Sequence, residues 1–199
     1  MERTAGYLFA LGCGALPALA AFALLYPLRQ RWLEKRRLAS PALREGALAL
    51  FWMFCGGMAM LTLTPRWMVW SLVDCLHGYR WNVGEYPFFE MGTVNLTPFQ
   101  TFRFDAYILA GNIVMFVPFG LFIALLWRGC TWRRALAAGL CVTGTVECWQ
   151  LTVGRALDID DVILNTLGVL CGFWLWRALR ALAPGFTERF HVHENEETL

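Results

Sequence analysis

The residues best suited to chemistry lie in two apolar segments joined by a short acidic turn, residues 133–177. On the first segment, one helical face carries residues at spacings of about 4, 4 and 3: Gly139, Thr143, Glu147 and Gln150. On the second, spacings of about 3, 4, 3 and 4 do the same for Asp158, Asp161, Asn165, Gly168 and Gly172. Arg155 lies in the turn between them. A carboxylate in so apolar a segment is unfavourable unless it faces a partner or water, so the pattern predicts a functional pocket.

Three functions fit these residue types: ligand binding at the outer surface, metal-assisted catalysis and transport. The carboxylates of Glu147, Asp158 and Asp161 outnumber the single Arg155, which favours binding of a cation or a protonated carboxyl group. Alternatively, carboxylate and amide oxygens on facing helices hold a divalent cation that acts on a phosphorylated envelope lipid. In that enzyme Glu147 is the candidate catalytic acid or base and Arg155 contacts the phosphate. A transporter or flippase gated by Glu147 ranks third, because no inverted repeat is visible.

Structural roles compete with these functions. Asp158 to Asp161 fit a helix N-cap, and Asp160, which points off the polar face, is assigned to that role. Gly168 and Gly172 fit close helix packing, and interhelical hydrogen bonds are an alternative role for Asn112, Gln150 and Asn165. Capping cannot explain Glu147, which lies well before the end of its helix, so a functional role is favoured there. We also expect Arg155 to be paired with Asp158 or Asp161.

The composition indicates a membrane protein. Of 199 residues, 58% are hydrophobic and 16% are charged, against about 45–50% and about 25% in soluble domains. The fold class predicted is therefore an all-α polytopic membrane helix bundle. The 7 cysteines form no CxxC pair, so neither a zinc site nor a disulfide framework is indicated. No basic run alternates with aromatic residues in a soluble module, so nothing points to nucleic acid as a partner.

The bundle is predicted to contain about five spans, in a single membrane domain over residues 1–182. The apolar runs cover about 5–28, 46–64, 107–127, 135–151 and 161–179. The first run is interpreted as a retained helix rather than a signal peptide, because its basic flank follows it. Residues 66–76 either lie flat at the interface or extend the second span, and 77–94 form an aromatic loop. Residues 183–199 are predicted to be a polar, disordered cytoplasmic tail.

The arginine-rich flanks predict the orientation. They lie at residues 29–44, 128–134 and 177–180, and the positive-inside rule places them in the cytoplasm. The N-terminus is then outside and the C-terminus inside. This topology brings to the external face a set of polar residues that we predict to bind a ligand together with Glu147: Asn95, Asn112, Gln150, Arg155, Asp158, Asp161 and Asn165.

Four sequence blocks carry a family resemblance. They read NLTPF at 95–99, GNIVMFVPFG at 111–120, ECWQ at 147–150 and RALDIDDVILNTLG at 155–168. In order and spacing this set resembles the VanZ-like family, with a core over 95–177. The resemblance implies a multi-pass protein of the bacterial inner (cytoplasmic) membrane, in a family whose founding member is associated with low-level resistance to teicoplanin-type glycopeptides. If the external pocket binds a ligand, we expect membrane lipids as partners and a lipid-linked envelope precursor or a lipoglycopeptide as that ligand.

Overall fold

The computed structural model describes residues 2–76, 78, 86–100 and 106–194. They form the helices α1 (Glu2–Lys35), α2 (Ala42–Leu63), α3 (Arg66–Leu76), α4 (Ala106–Leu126), α5 (Trp132–Thr152), α6 (Ile159–Leu182) and α7 (Pro184–Glu188). Short strands of two residues each are β1 (Leu38–Ala39), β2 (Val94–Asn95), β3 (Leu157–Asp158) and β4 (His193–Glu194). The predicted all-α helix bundle is confirmed.

Four helical segments are long and apolar enough to cross a membrane: Gly6–Lys35, Ala42–Leu63, Leu109–Leu126 and Ile159–Leu182. The predicted count of about five also includes α5. With 21 residues, α5 measures about 31 Å at about 1.5 Å per residue, which matches a hydrocarbon core of about 30 Å. Its composition is less apolar because its buried face carries the polar residues Thr143, Glu147 and Gln150.

Glycines set the distance between the helices. A Cβ at Gly168 would overlap the Ile113 carbonyl oxygen, and one at Gly172 would overlap that of Val117, so α6 packs backbone to backbone on α4. The predicted close-packing role of these two glycines is confirmed. Gly14 of α1 and Gly56 of α2 make a similar crossing. Small residues permit such approach in a membrane, where burial of apolar surface does not drive helices together.

The connections gather at two opposite ends of the bundle. At one end, Gly6 of α1 lies against Val73 of α3, and Glu90 pairs with Val153 in the turn that follows α5. At the other end, β1 pairs antiparallel with β4, and the Arg44 guanidinium donates to the carbonyls of Leu126 and Phe190. The grouping of loops follows the predicted topology; which end faces outward stays a prediction.

The predicted disorder of residues 183–199 is wrong for 184–194. Here α7 and β4 fold back onto the bundle. Thr187 is 1% exposed and Phe190 6%, and Phe190 joins a buried cluster with Leu126 and Trp176. The sequence did not predict this docking because acidic residues dominate the tail as a whole. Thr187 and Phe190 supply the buried contacts. Residues 195–199 lie outside the described part of the chain.

The segment after α2 is a separate helix. Because α2 ends at Leu63 and α3 begins at Arg66, residues 66–76 do not extend the second span. Of the predicted aromatic loop, residues 77 and 79–85 lie outside the described residues. Tyr86 and Phe89 are exposed, and the Phe89 ring stands edge-on to Trp149 at 6.3 Å.

Candidate functional site

The site is built on a short parallel pairing between two segments that are distant in sequence. Residues 94–95 of β2 pair with 157–158 of β3, with Asn95 opposite Asp158. Just before β2, the backbone at Gly92 lies so close to Arg155 that a Cβ would overlap the Arg155 carbonyl oxygen. Only glycine fits at this position, because it lacks the Cβ. The pairing therefore brings the 95–99 block to the start of α6.

Asp158 connects three elements. As the N-cap of α6, its Oδ1 accepts a hydrogen bond from the Asp160 backbone N–H at 2.9 Å, while its Oδ2 accepts one from Asn95 Nδ2 at 3.1 Å. Its own backbone N–H donates to Glu147 Oε2 of α5 at 3.0 Å. The capping role considered for Asp158 is thus present, and Glu147 bridges α5 to the start of α6.

The next two carboxylates hold α4 and the segment before it. Asn112 Nδ2 of α4 donates to Asp161 Oδ1. Asp160, which is fully buried, accepts the Phe99 backbone N–H on Oδ1 at 2.6 Å. Phe99 has φ +66°, a left-handed conformation unusual for an aromatic residue. The sequence predicted a helix-cap role for Asp160 and not a place in the site. The feature that could have indicated its contacts is its position at the α6 N-terminus, where backbone N–H groups favour carboxylates.

The facing sides of α5 and α6 carry a buried polar core. Glu147 is 2% exposed, and Gln150 and Asn165 are each 6% exposed. Thr143 and Thr166 share a hydrogen bond of 3.2 Å between their hydroxyl oxygens. The backbone carbonyl of Gln150 accepts hydrogen bonds from the backbone N–H groups of Val153 and Arg155 and so closes the turn. The structure therefore brings together Asn95, Asn112, Glu147, Asp158 and Asp161, and buries Gln150 and Asn165 on the same two helices.

Comparison with known proteins identifies the family of this chain. A profile of the VanZ/LLP1 family matches residues 49–180. The chain belongs to this family. It is 31% identical over 123 residues to Protein VanZ of Enterococcus faecium, an alignment that covers 61% of this chain and 71% of that protein. No solved structure matches the chain with significance.

In this VanZ/LLP1 protein the predicted pairing of Arg155 with a carboxylate is wrong. Arg155 Nη1 donates to the carbonyl oxygens of Leu61 at 2.7 Å and Thr62 at 3.3 Å. None of the ion pairs among the described residues involves Arg155. The last turn of α2 has carbonyls without helical partners and the negative end of the helix dipole, and both attract a guanidinium.

Beside this contact lies an apolar cavity of about 730 Å³, here named the α1–α4 cavity. It is bounded by four helices and the 155 turn, and its lining residues are Tyr7, Leu11, Phe54, Met58, Leu61, Thr62, Arg66, Val69, Trp70, Val73, Val114, Met115, Pro118 and Arg155. Its charged residues are both arginines. The lining of this cavity in the VanZ/LLP1 chain thus differs in charge from the acidic pocket predicted from the sequence. The carboxylates are turned toward Asn95, Asn112 and backbone N–H groups instead.

The electrostatics of Arg155 favour an anion in this cavity. Burial lowers the pKa of the Arg155 guanidinium, and the neighbouring positive charge of Arg66 lowers it further. The charges of Glu147 and Asp161 act in the opposite direction. Within the described residues, the buried Nε of Arg155 has no hydrogen-bond partner.

Over the same residues, no group of three or more His, Cys, Asp or Glu side chains is placed to hold a metal ion.

Proposed function

We propose that this protein binds an anionic amphiphile of the bacterial envelope in the α1–α4 cavity, at the outer face of the inner membrane. The favoured ligand is a lipid-linked envelope precursor, which carries phosphate on a hydrocarbon chain. Binding would change how teicoplanin-type glycopeptides reach their target, and so give low-level resistance. The observation that carries the proposal is the pair of guanidinium groups, Arg66 and Arg155, on an otherwise apolar cavity.

The hydrocarbon part of the ligand matches the walls. A volume of about 730 Å³ lies within the range of about 300–1,000 Å³ typical of small-molecule sites. The lining side chains from α1, α2, α3 and α4 are almost all aliphatic or aromatic. Transfer of an alkyl chain from water to such walls is favourable by about 25 cal/mol per Å² of buried apolar surface.

The headgroup matches the arginines. Arg155 is held in place through Nη1 by the end of α2, and among the described residues its buried Nε has no hydrogen-bond partner. Arg66 is exposed at the first residue of α3 and supplies a second guanidinium. Two guanidinium groups repel each other, and a phosphate between them removes the repulsion while accepting charge-assisted hydrogen bonds.

Binding is tested with farnesyl phosphate, a short polyprenyl phosphate, and with farnesol as the neutral probe of the same chain. Protein purified in dodecyl maltoside is titrated by microscale thermophoresis. We expect Arg66→Gln to weaken farnesyl phosphate binding about tenfold, the loss of one good charge-assisted contact, and to leave farnesol binding unchanged. Val69→Phe, which narrows the cavity, should weaken both probes.

Arg133→Gln is the matched control, because Arg133 lies at the other end of α5 and stacks on Trp132. Equal affinities of Arg66→Gln and Arg133→Gln for farnesyl phosphate would contradict the proposal. In cells of a susceptible host, the Arg66→Gln and Val69→Phe proteins should also lose teicoplanin resistance relative to Arg133→Gln. Unchanged resistance in both variants would refute the link between the cavity and the antibiotic.

Glu147→Gln separates binding from acid–base catalysis. A glutamine Oε1 still accepts the Asp158 N–H, so the variant should fold and bind farnesyl phosphate like the unmodified protein. An enzyme that uses Glu147 as acid or base would lose its function with the ionisable group. Lost teicoplanin resistance with unchanged farnesyl phosphate affinity would therefore favour the metal-assisted enzyme over the binding function.

A further inference from the structure

A second cavity, unrelated to the family motifs, lies at the opposite end of the bundle. It measures about 200 Å³ and is lined by Arg128, Gly129, Trp176, Arg180, Glu188 and His191. These residues come from the α4–α5 turn, the last part of α6 and the folded C-terminal segment. We name it the C-terminal cavity. It exists only because residues 184–194 fold back onto the helices.

Two residues that line this cavity each carry a buried nitrogen atom without a partner. Trp176 is 5% exposed and His191 is 5% exposed. Within the described part of the chain, the indole Nε1–H of Trp176 and the Nε2 of His191 have no hydrogen-bond partner. Buried polar groups are hydrogen-bonded in the great majority of cases, so two such atoms, on residues that line one cavity, point to a ligand beside them.

The hydrogen-bonding capacity of these atoms specifies the ligand. An indole N–H can only donate, so it requires an acceptor. His191 Nδ1 is 3.1 Å from Glu188 Oε2; it donates to this carboxylate, and in the protonated ring Nε2 is a second donor. Arg180 lies over the Trp176 ring, with its guanidinium carbon 5.5 Å from the centroid. In the neutral ring Nε2 is an acceptor, so the donors that do not depend on the state of this ring are the Trp176 indole N–H and the Arg180 guanidinium.

The charges point the same way. Arg128 and Arg180 each lie 3.8 Å from a carboxylate oxygen of Glu188, at the outer limit of an ion pair. One carboxylate thus faces two guanidinium groups, which leaves one positive charge uncompensated while His191 is neutral. The site therefore attracts a further anion.

Size limits the anion to a small group. A volume of about 200 Å³ equals that of about seven water molecules at about 30 Å³ each. This space accommodates a phosphate group with one or two waters. It excludes an acyl chain, which would extend outside the cavity along the apolar helix surfaces. Basic pockets between helix ends are a recurrent means of binding lipid phosphates.

We propose that the C-terminal cavity binds a phosphate group through Trp176 Nε1–H and the guanidinium groups of Arg128 and Arg180. The phosphate belongs either to the headgroup of an anionic phospholipid or to a free phosphate compound. In both cases the ligand joins the C-terminal segment to α6 and to the α4–α5 turn, and so stabilises the fold at this end.

The test uses the full-length protein in dodecyl maltoside, titrated with inorganic phosphate, dioctanoyl phosphatidylglycerol and dioctanoyl phosphatidylcholine. We expect the phosphatidylglycerol to bind and to raise the melting temperature, and the double variant Arg128→Gln/Arg180→Gln to weaken this binding at least tenfold. Trp176→Phe keeps the ring and removes only the donor, and it should weaken binding about fivefold. Arg133→Gln, which removes one positive charge at the same end of the bundle, is the control and should bind normally.

Glu188→Gln gives a result that damage to the fold cannot imitate. It removes the competing negative charge while keeping an oxygen acceptor for His191, so affinity for phosphate should rise. Unchanged or weaker binding in Glu188→Gln, together with equal affinities of Trp176→Phe and Arg133→Gln, would overturn the proposal. Phosphatidylglycerol binding well above that of inorganic phosphate assigns the site to a lipid headgroup, and equal binding assigns it to free phosphate. Binding of phosphatidylcholine equal to that of phosphatidylglycerol would overturn it, because net negative charge would then not matter.

This outcome is independent of the proposed function. The variants lie at the end of the bundle opposite Arg66 and Arg155, so the farnesyl phosphate titration of the α1–α4 cavity should not respond to them. Loss of phosphatidylglycerol binding in Arg128→Gln/Arg180→Gln with farnesyl phosphate binding intact is the expected combination.

Discussion

Replacement of Arg155 by glutamine should destabilise the folded protein even though Arg155 has no carboxylate partner. The side chain joins the turn before α6 to the last turn of α2, through its hydrogen bonds to the carbonyls of Leu61 and Thr62. Without it, these carbonyls lose a charged donor at the negative end of the α2 dipole. The 90–95 segment, which pairs with the same turn, loses part of its support.

The size of the effect follows from these contacts. One charged hydrogen bond of normal length contributes about 1.5–3 kcal/mol, and the helix dipole adds about 0.3–1 kcal/mol. Half-burial of Arg155 and relief of its repulsion with Arg66 both reduce the loss. A net loss of about 2 kcal/mol in the free energy of unfolding corresponds to a fall in melting temperature of roughly 4–8 °C for a chain of this size.

The assay is thermal unfolding in dodecyl maltoside, followed by intrinsic fluorescence, for Arg155→Gln, Asp158→Asn and the double variant. Because Arg155 and Asp158 make no ion pair, Asp158→Asn should restore no stability to Arg155→Gln. Arg155→Lys, which keeps the charge but not the forked donor, should lose about half as much as Arg155→Gln. A double variant more stable than Arg155→Gln alone would refute this reasoning and restore the carboxylate pair.

Three further predictions concern the fold. Gly172→Ala should lower the melting temperature, because its Cβ would overlap the Val117 carbonyl; Gly144→Ala, with open space at its Cβ, should leave it unchanged or raise it by the helix propensity of alanine, up to about 1 kcal/mol. Phe190→Ala should cost about 3–5 kcal/mol of stability, as for a buried core aromatic, and a loss below about 0.5 kcal/mol would show that the C-terminal segment is not docked. In a variant without other cysteines, a membrane-impermeant thiol reagent should label Ala156→Cys and spare Ser40→Cys in intact cells, and the opposite result would invert the predicted orientation.

The sequence by itself determined the helical architecture and the composition of the site. Spans of about 17–25 apolar residues can only be helices in a bilayer, because every backbone group must be paired within the segment. The period of 3.6 residues then placed Gly139, Thr143, Glu147 and Gln150 on one face, and all four are buried. These features are local, so they are readable from the order of residues.

The partners of these side chains were decided only by tertiary structure. The sequence shows that Arg155 requires a negative partner, but not that α2 ends beside it and supplies carbonyl oxygens. Likewise, the parallel pairing of β2 with β3 turns Asp158 toward Asn95, which leaves the α1–α4 cavity lined by arginines instead of carboxylates. Such contacts join residues 60 or more positions apart. Their choice depends on which helices pack together, and no local pattern of charge or hydropathy contains that information.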